Sequence, residues 1–168
     1  MTSTPAAPDP TIEAIGRAVE LGRAGDVDTA RHQLVDLWTE VGASGDPFHR
    51  CTLAHYLADL FDHPAEALIW DIRAIDAAAS LSNERAQVHH QSLQVAGFYP
   101  SLHLNIADNF RRLSAFGAAA EHICAAEERS EALPDDGYGR MIRTAIDEVR
   151  AAIDRRETAR RDSAPGGS

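Results

Sequence analysis

The residues of this chain that could do chemistry concentrate in its middle. The stretch QVHHQSLQVAGFYPSLHLN, residues 87–105, carries His89, His90 and His103 around the pair Tyr99-Pro100. Upstream, His55 has Asp59 four residues after it and Cys51 four residues before it, which places all three on one stripe of a helix. Imidazole, carboxylate and thiolate are the donors that zinc prefers, and His90 or His103 from a neighbouring helix would complete such a set. Against this, His89 and His90 are adjacent, so on a helix they point ~100° apart and do not face one ion. The chelating spacing on a single helix is i, i+4, and no two histidines show it. Cys51 also reads as a core thiol and His55 as a packing residue. General acid–base work needs such groups gathered in a concave, partly dry site, and His55, Asp59, His90, His103 and Asp108 are the candidates. No nucleophile motif, oxyanion loop or phosphate-cradling glycine loop accompanies them. We therefore expect no catalytic residue, no metal ligand set and no cofactor. His55, His90 and His103 are kept as groove histidines for an alternative small-molecule or metal-dependent function.

A second set is better ordered. Asn105, Asp108, Asn109 and Arg112 fall at i, i+3, i+4 and i+7, a polar stripe beside an apolar one. Asparagine amides bond peptide N–H and C=O groups together, and arginine forks onto a carboxylate. Tyr56 and Asp59 lie on the matching face of an earlier helix. The competing reading is a solvated face with no ligand.

The elements that position these residues follow from composition and periodicity. Alanine and leucine dominate the 44% hydrophobic content, aromatics are 6%, and runs alternating at period two are absent. This mix favours helix almost throughout. Asp9-Pro10 and Asp46-Pro47 are helix starts, a capping carboxylate followed by a proline whose missing N–H costs nothing in the first turn. Apolar faces run over 12–21, 30–41, 53–61, 67–79, 88–96, 102–113, 116–126 and 141–153, separated by short Gly, Pro and Asp turns. Such short connections force successive helices antiparallel, so the fold class is all-α, built from helical hairpins. One domain spans 10–157, between an N-terminal tail (1–9) and a C-terminal tail (158–168) that are poor in apolar residues and expected to be disordered.

The basic residues are all arginine, which with the alanine content reads as the mark of a GC-rich bacterial genome. The net charge of −10 repels phosphate backbones, so nucleic acid is not an expected partner. No apolar run approaches the length of a membrane span, and the N-terminus has no secretion signal, which points to the cytoplasm. Cys51 and Cys124 lack a CxxC spacing and are expected to be buried, reduced thiols.

The hairpins share a pattern. Ala18 and Leu21 precede Gly25-Asp26 and then Ala30, Leu34 and Leu37. His55 and Ala58 precede Asp62 and then Ala67, Asp71 and Ala74. Ala107 and Phe110 precede Ser114-Ala115-Phe116 and then Ala119, Ile123 and Ala126. Alanine suits the point where two helices cross closely. This resembles the tetratricopeptide repeat family, on Gly25-Asp26 with Ala30 and on Asn105-Ile106-Ala107-Asp108 with Phe110, Phe116 and Ala119. The resemblance covers residues 11–131, with His55 departing from the small residue the family has there. It implies three hairpins stacked as a short right-handed solenoid, with the helix at 137–157 as a C-terminal cap. It also implies that the stripe from Asn105 to Arg112 faces a concave groove that receives a protein or peptide, the chain acting as a scaffold or adaptor. Self-association through the last helix, as a structural dimerisation unit, is a further alternative. Ala30 to Ala67 is 37 residues and Ala67 to Ala119 is 52, leaving room for one additional helix over 82–97. We expect it to extend the following helix at its N-terminus, broken at Gly97-Phe98-Tyr99-Pro100.

Overall fold

Most of the helices open where the sequence places a chemical start signal. In α1 (Pro10–Arg23) the Asp9 carboxylate accepts from the N–H groups of Thr11 at 3.0 Å and Ile12 at 3.3 Å. In α3 (Pro47–Asp59) Asp46 does the same for Phe48 at 2.8 Å and His49 at 3.2 Å. Both satisfy donors that the first helical turn leaves without partners. The other helices are α2 (Val27–Val41), α4 (Pro64–Ala78), α5 (Tyr99–Arg112), α6 (Phe116–Glu128) and α7 (Gly137–Asp154). The computed structural model describes residues 8–82 and 95–162, and among these it is all-α, with no strand. None of these helices is long and apolar enough to cross a membrane.

The additional helix expected over 82–97 falls mostly on residues 83–94, which lie outside the described residues, as do His89 and His90. Description resumes with a 3₁₀ turn at Val95–Gly97, and the α-helix starts at Tyr99 with Pro100 in its first turn. The start of α5 thus coincides with the proline, whose ring nitrogen cannot bond back to the preceding turn.

Helices pack on their chain neighbours: α1 on α2, α3 on α4, α5 on α6. The pairs meet through α2 with α3 and α4 with α5, while α7 lies on both α5 and α6. This is consistent with an all-α helical repeat. At the crossing points Ala18, Ala30, Ala107 and Ala119 are each 0% exposed. Gly22 sits at a similarly close approach, where a Cβ would come within 3.2 Å of Leu60 Cδ2 and 3.4 Å of Ala30 Cβ. The first and third hairpins also turn alike. Gly25 donates to Gly22 O and Asp26 to Leu21 O, and the same offsets recur as Ser114 to Arg111 O and Ala115 to Phe110 O. The turn residue is left-handed in both, with φ +100° at Gly25 and +63° at Ser114.

Two apolar clusters result. The first joins Ile15, Leu34, Leu53, Leu57, Trp70 and Ala74, and takes Leu102 from α5. The second joins Leu104 and Ala107, also from α5, with Ile123, Ile142, Ile146 and Val149. Trp38 and Trp70 meet edge to face at 5.2 Å in the first cluster. Cys51 is buried there, and burial pushes its thiol up to about 12. Cys124 departs from the expectation. It is exposed on the outer face of α6 and accepts a hydrogen bond from Arg150 Nη2 at 3.0 Å.

The last helix ends at Asp154, not at 157, because the chain reverses at Arg156, which is left-handed at φ +54°. The N–H groups of Arg156 and Glu157 close the turn on Ile153 O and Ala152 O. Glu157–Arg161, placed by composition at the edge of a tail, then runs back onto α5.

Candidate functional site

The polar stripe of α5 faces α4, and what it meets there is a carboxylate. Asp71 is 1% exposed and accepts from Asn109 Nδ2 at 2.7 Å and Asn105 Nδ2 at 3.4 Å. The two amides sit one turn apart, so they grip both carboxylate oxygens. Burial pushes the Asp71 carboxyl well above the usual range; the negative charges of Asp59 and Asp108 add to this, while the two amide bonds oppose it. Asp59 on α3 is raised by the same burial, opposed by the charges of His55, Arg160 and Arg23. Three aspartates of three helices therefore share one small volume.

That volume is a cleft of about 50 Å³. Asp59, Asp71, Asn105, Asp108, Asn109 and Arg112 line it, and Arg160 and Arg161 of the returning C-terminal segment complete its wall. With that segment in place it has space for a few water-sized groups. Arg112 donates to Asp62 O at 2.7 Å. Its guanidinium is lowered, by burial first and then by the charges of Arg160 and Arg111. Asp108 receives Arg111 Nη2 at 2.8 Å and has Arg161 Nε at 3.7 Å.

Of the residues singled out by sequence, Asp59, Asn105, Asp108, Asn109 and Arg112 come together here. Tyr56 does not line the cleft; it packs on the first apolar cluster, with its ring 5.6 Å from that of His55. The groove histidines are not gathered with them. His55 is half-buried, and its Nδ1 has no hydrogen-bond partner among the described residues. His103 turns toward α6, where its Nδ1 lies 3.0 Å from Nδ1 of His122 and the rings are 5.3 Å apart. Burial first, then the charges of His122 and Arg129, holds His103 down at about 4. Burial lowers His122 as well. His90 lies outside the described residues. Among those described, no cluster of three histidine, cysteine or acidic side chains could hold a metal.

Sequence reasoning passed over Asp71, Arg111, Arg160 and Arg161. A signal for the first was present. With Ala30, Ala67 and Ala119 aligned, Asp71 takes the place of Leu34 and Ile123, both 0% exposed. Likewise Asp59 takes the place of Gly22 and Arg111, and His55 that of Ala18 and Ala107. The second hairpin thus puts polar groups at positions that the first fills with apolar or small residues. In the third hairpin Arg111 does the same at the place of Gly22. It is 1% exposed and donates to Glu157 O at 2.6 Å and Ala159 O at 2.8 Å.

Comparison of the chain with protein-family models, curated proteins and solved structures finds no match in any of the three.

Proposed function

We propose that the chain is a tetratricopeptide-like binding module, an adaptor that receives an extended peptide or protein segment along the cleft between α3–α4 and α5. One observation carries this reading. Asp59 and Asp71, which replace Gly22 and Leu34 of the first hairpin, meet the polar stripe of the third hairpin at a single cleft. Burying Asp71 costs stability relative to a leucine, on the order of 1–3 kcal/mol for each polar group left imperfectly matched. A cost concentrated at one place, against the local folding pattern, is the mark of a functional surface. A small-molecule or metal-dependent role is the weaker reading, because neither His55 nor His103 lines the cleft.

The test is affinity capture from the native host, followed by mass spectrometry, with the wild type and the Asn105→Ala/Arg112→Ala variant side by side. The reading expects a partner that the wild type retains and the variant loses, while circular dichroism shows the variant folded. Equal retention by both would remove the cleft from the interaction.

A second reading, self-association through α7, is favoured by Tyr138 at 44% and Met141 at 58% exposure on that helix. Sedimentation analysis distinguishes it. A dimer dispersed by Met141→Glu and untouched by Asn105→Ala belongs to α7, not to the cleft.

A further inference from the structure

The wall of the cleft is completed by the chain's own C-terminal segment, held through both its main chain and its arginine side chains. Arg111 grips two backbone carbonyls, Glu157 O at 2.6 Å and Ala159 O at 2.8 Å, which recognises the main chain and not its side chains. The side chains then supply charge. Arg160 Nη1 reaches Asp62 Oδ1 at 2.8 Å, and Arg161 Nη1 reaches Glu148 Oε2 at 2.8 Å with its Nε 3.7 Å from Asp108. Both arginines enter the lining beside Asp59, Asp71 and Asp108. A left-handed Arg156 turns the segment back, a conformation an L-residue adopts only at a steric cost.

We propose that Glu157–Arg161 is an intramolecular ligand of this cleft, and that the partner is an extended segment bearing paired basic side chains that must displace it. The inference rests on the peptide-binding reading above and adds to it the partner's chemistry and a built-in competitor. A net charge of −10 gives the whole surface the sign that steers such a basic segment in. The tethered copy competes at an effective concentration on the order of 1 mM. A free peptide with a Kd near ~100 µM for the open cleft is therefore weakened about tenfold in the intact chain.

The experiment uses the full chain and a fluorescein-labelled synthetic peptide of residues 155–162, followed by fluorescence anisotropy. Full chain carrying Arg160→Ala and Arg161→Ala, which loosens the tethered segment without removing it, should bind the peptide about tenfold more tightly than the wild type. A labelled peptide of the same length with alanine at residues 160 and 161 should not bind either chain. Trypsin supplies a second readout that does not depend on affinity. Cleavage after Arg155 and Arg156 should be faster in the Arg160→Ala/Arg161→Ala chain and slowed in the wild type by nothing but the tethered segment. Equal peptide affinity for the two chains, or binding of the alanine peptide as tight as that of the parent, would overturn the proposal. Failure here is separable from failure of the adaptor reading. A host partner captured equally by wild type and Arg160→Ala/Arg161→Ala chains leaves the adaptor standing and removes the competitor. Peptide binding with no host partner does the reverse.

Discussion

At the scale of single residues, a buried carboxyl and a half-buried imidazole titrate in opposite senses, and the signs can be worked out separately. Asp71 has its carboxyl raised in the fold, so between its unfolded value, ~3.9, and its higher folded value the native state holds the proton the unfolded chain has lost. Stability from this group is greatest at low pH and falls as pH rises. His103 is the opposite case. Its folded value of about 4 lies below the unfolded one, ~6.5, so the unfolded chain binds the extra proton. Stability is then full above ~6.5 and is lost as pH falls toward 4. The wild-type profile mixes both slopes, and only variants separate them. Asp71→Asn should flatten the fall of stability with rising pH, and His122→Phe should flatten the loss on acidification, since His103 then no longer faces a second imidazole. Urea unfolding at pH 5 and pH 8 reads both; a variant profile parallel to the wild type would refute the corresponding assignment. Asp71→Ala should cost about 1–3 kcal/mol at neutral pH by leaving the Asn109 amide buried without its acceptor.

At the scale of elements, the turns carry the prediction. Ser114 stands where the first hairpin has Gly25, closes the same pair of hydrogen bonds and shares its left-handed φ. Only glycine takes that conformation without a steric cost, so Ser114→Gly should stabilise the protein by up to ~1 kcal/mol in thermal unfolding. The same substitution at a residue with ordinary helical φ would cost about that much instead. Helix starts were legible because Asp-Pro pairs are local chemistry, and Asp9 and Asp46 cap as their neighbours require. Crossing points were legible for the same reason, a small residue at Ala30, Ala67 and Ala119. The course of Glu157–Arg161 was not, because its anchor, Arg111 on α5, is 46 and 48 residues away from the carbonyls it holds. Composition saw only a charged end, and Arg111, beside the stripe residue Arg112, carried no signal of the carbonyls it holds. Cys124 shows a related limit: its neighbours Ile123 and Ala126 are buried, and a hundred degrees of helix rotation leaves the thiol outside. The cleft was half legible, since the α5 stripe could be read from spacing while Asp71 needed the hairpins laid over one another.

At the scale of the whole molecule, α5 is the element on which everything meets. It contributes Leu102 to the first apolar cluster, Leu104 and Ala107 to the second, the amides that hold Asp71, and Arg111, which holds the C-terminal segment. A rigid helix shared by two cores couples them, because neither can open without baring a face of α5. The chain should therefore unfold in one step although its apolar side chains form two clusters. Both tryptophans, Trp38 and Trp70, report from the first cluster, whereas helical dichroism reports from every helix. Ile146→Ala, deep in the second cluster and 3% exposed in the wild type, should lower stability by about 2–4 kcal/mol. In a coupled molecule the tryptophan signal moves to lower urea by the same amount as the dichroism, though no tryptophan touches the mutated site. A dichroism transition that shifts while the tryptophan transition stays in place would mean two independent units, and α5 would be a linker and not the shared wall of one fold.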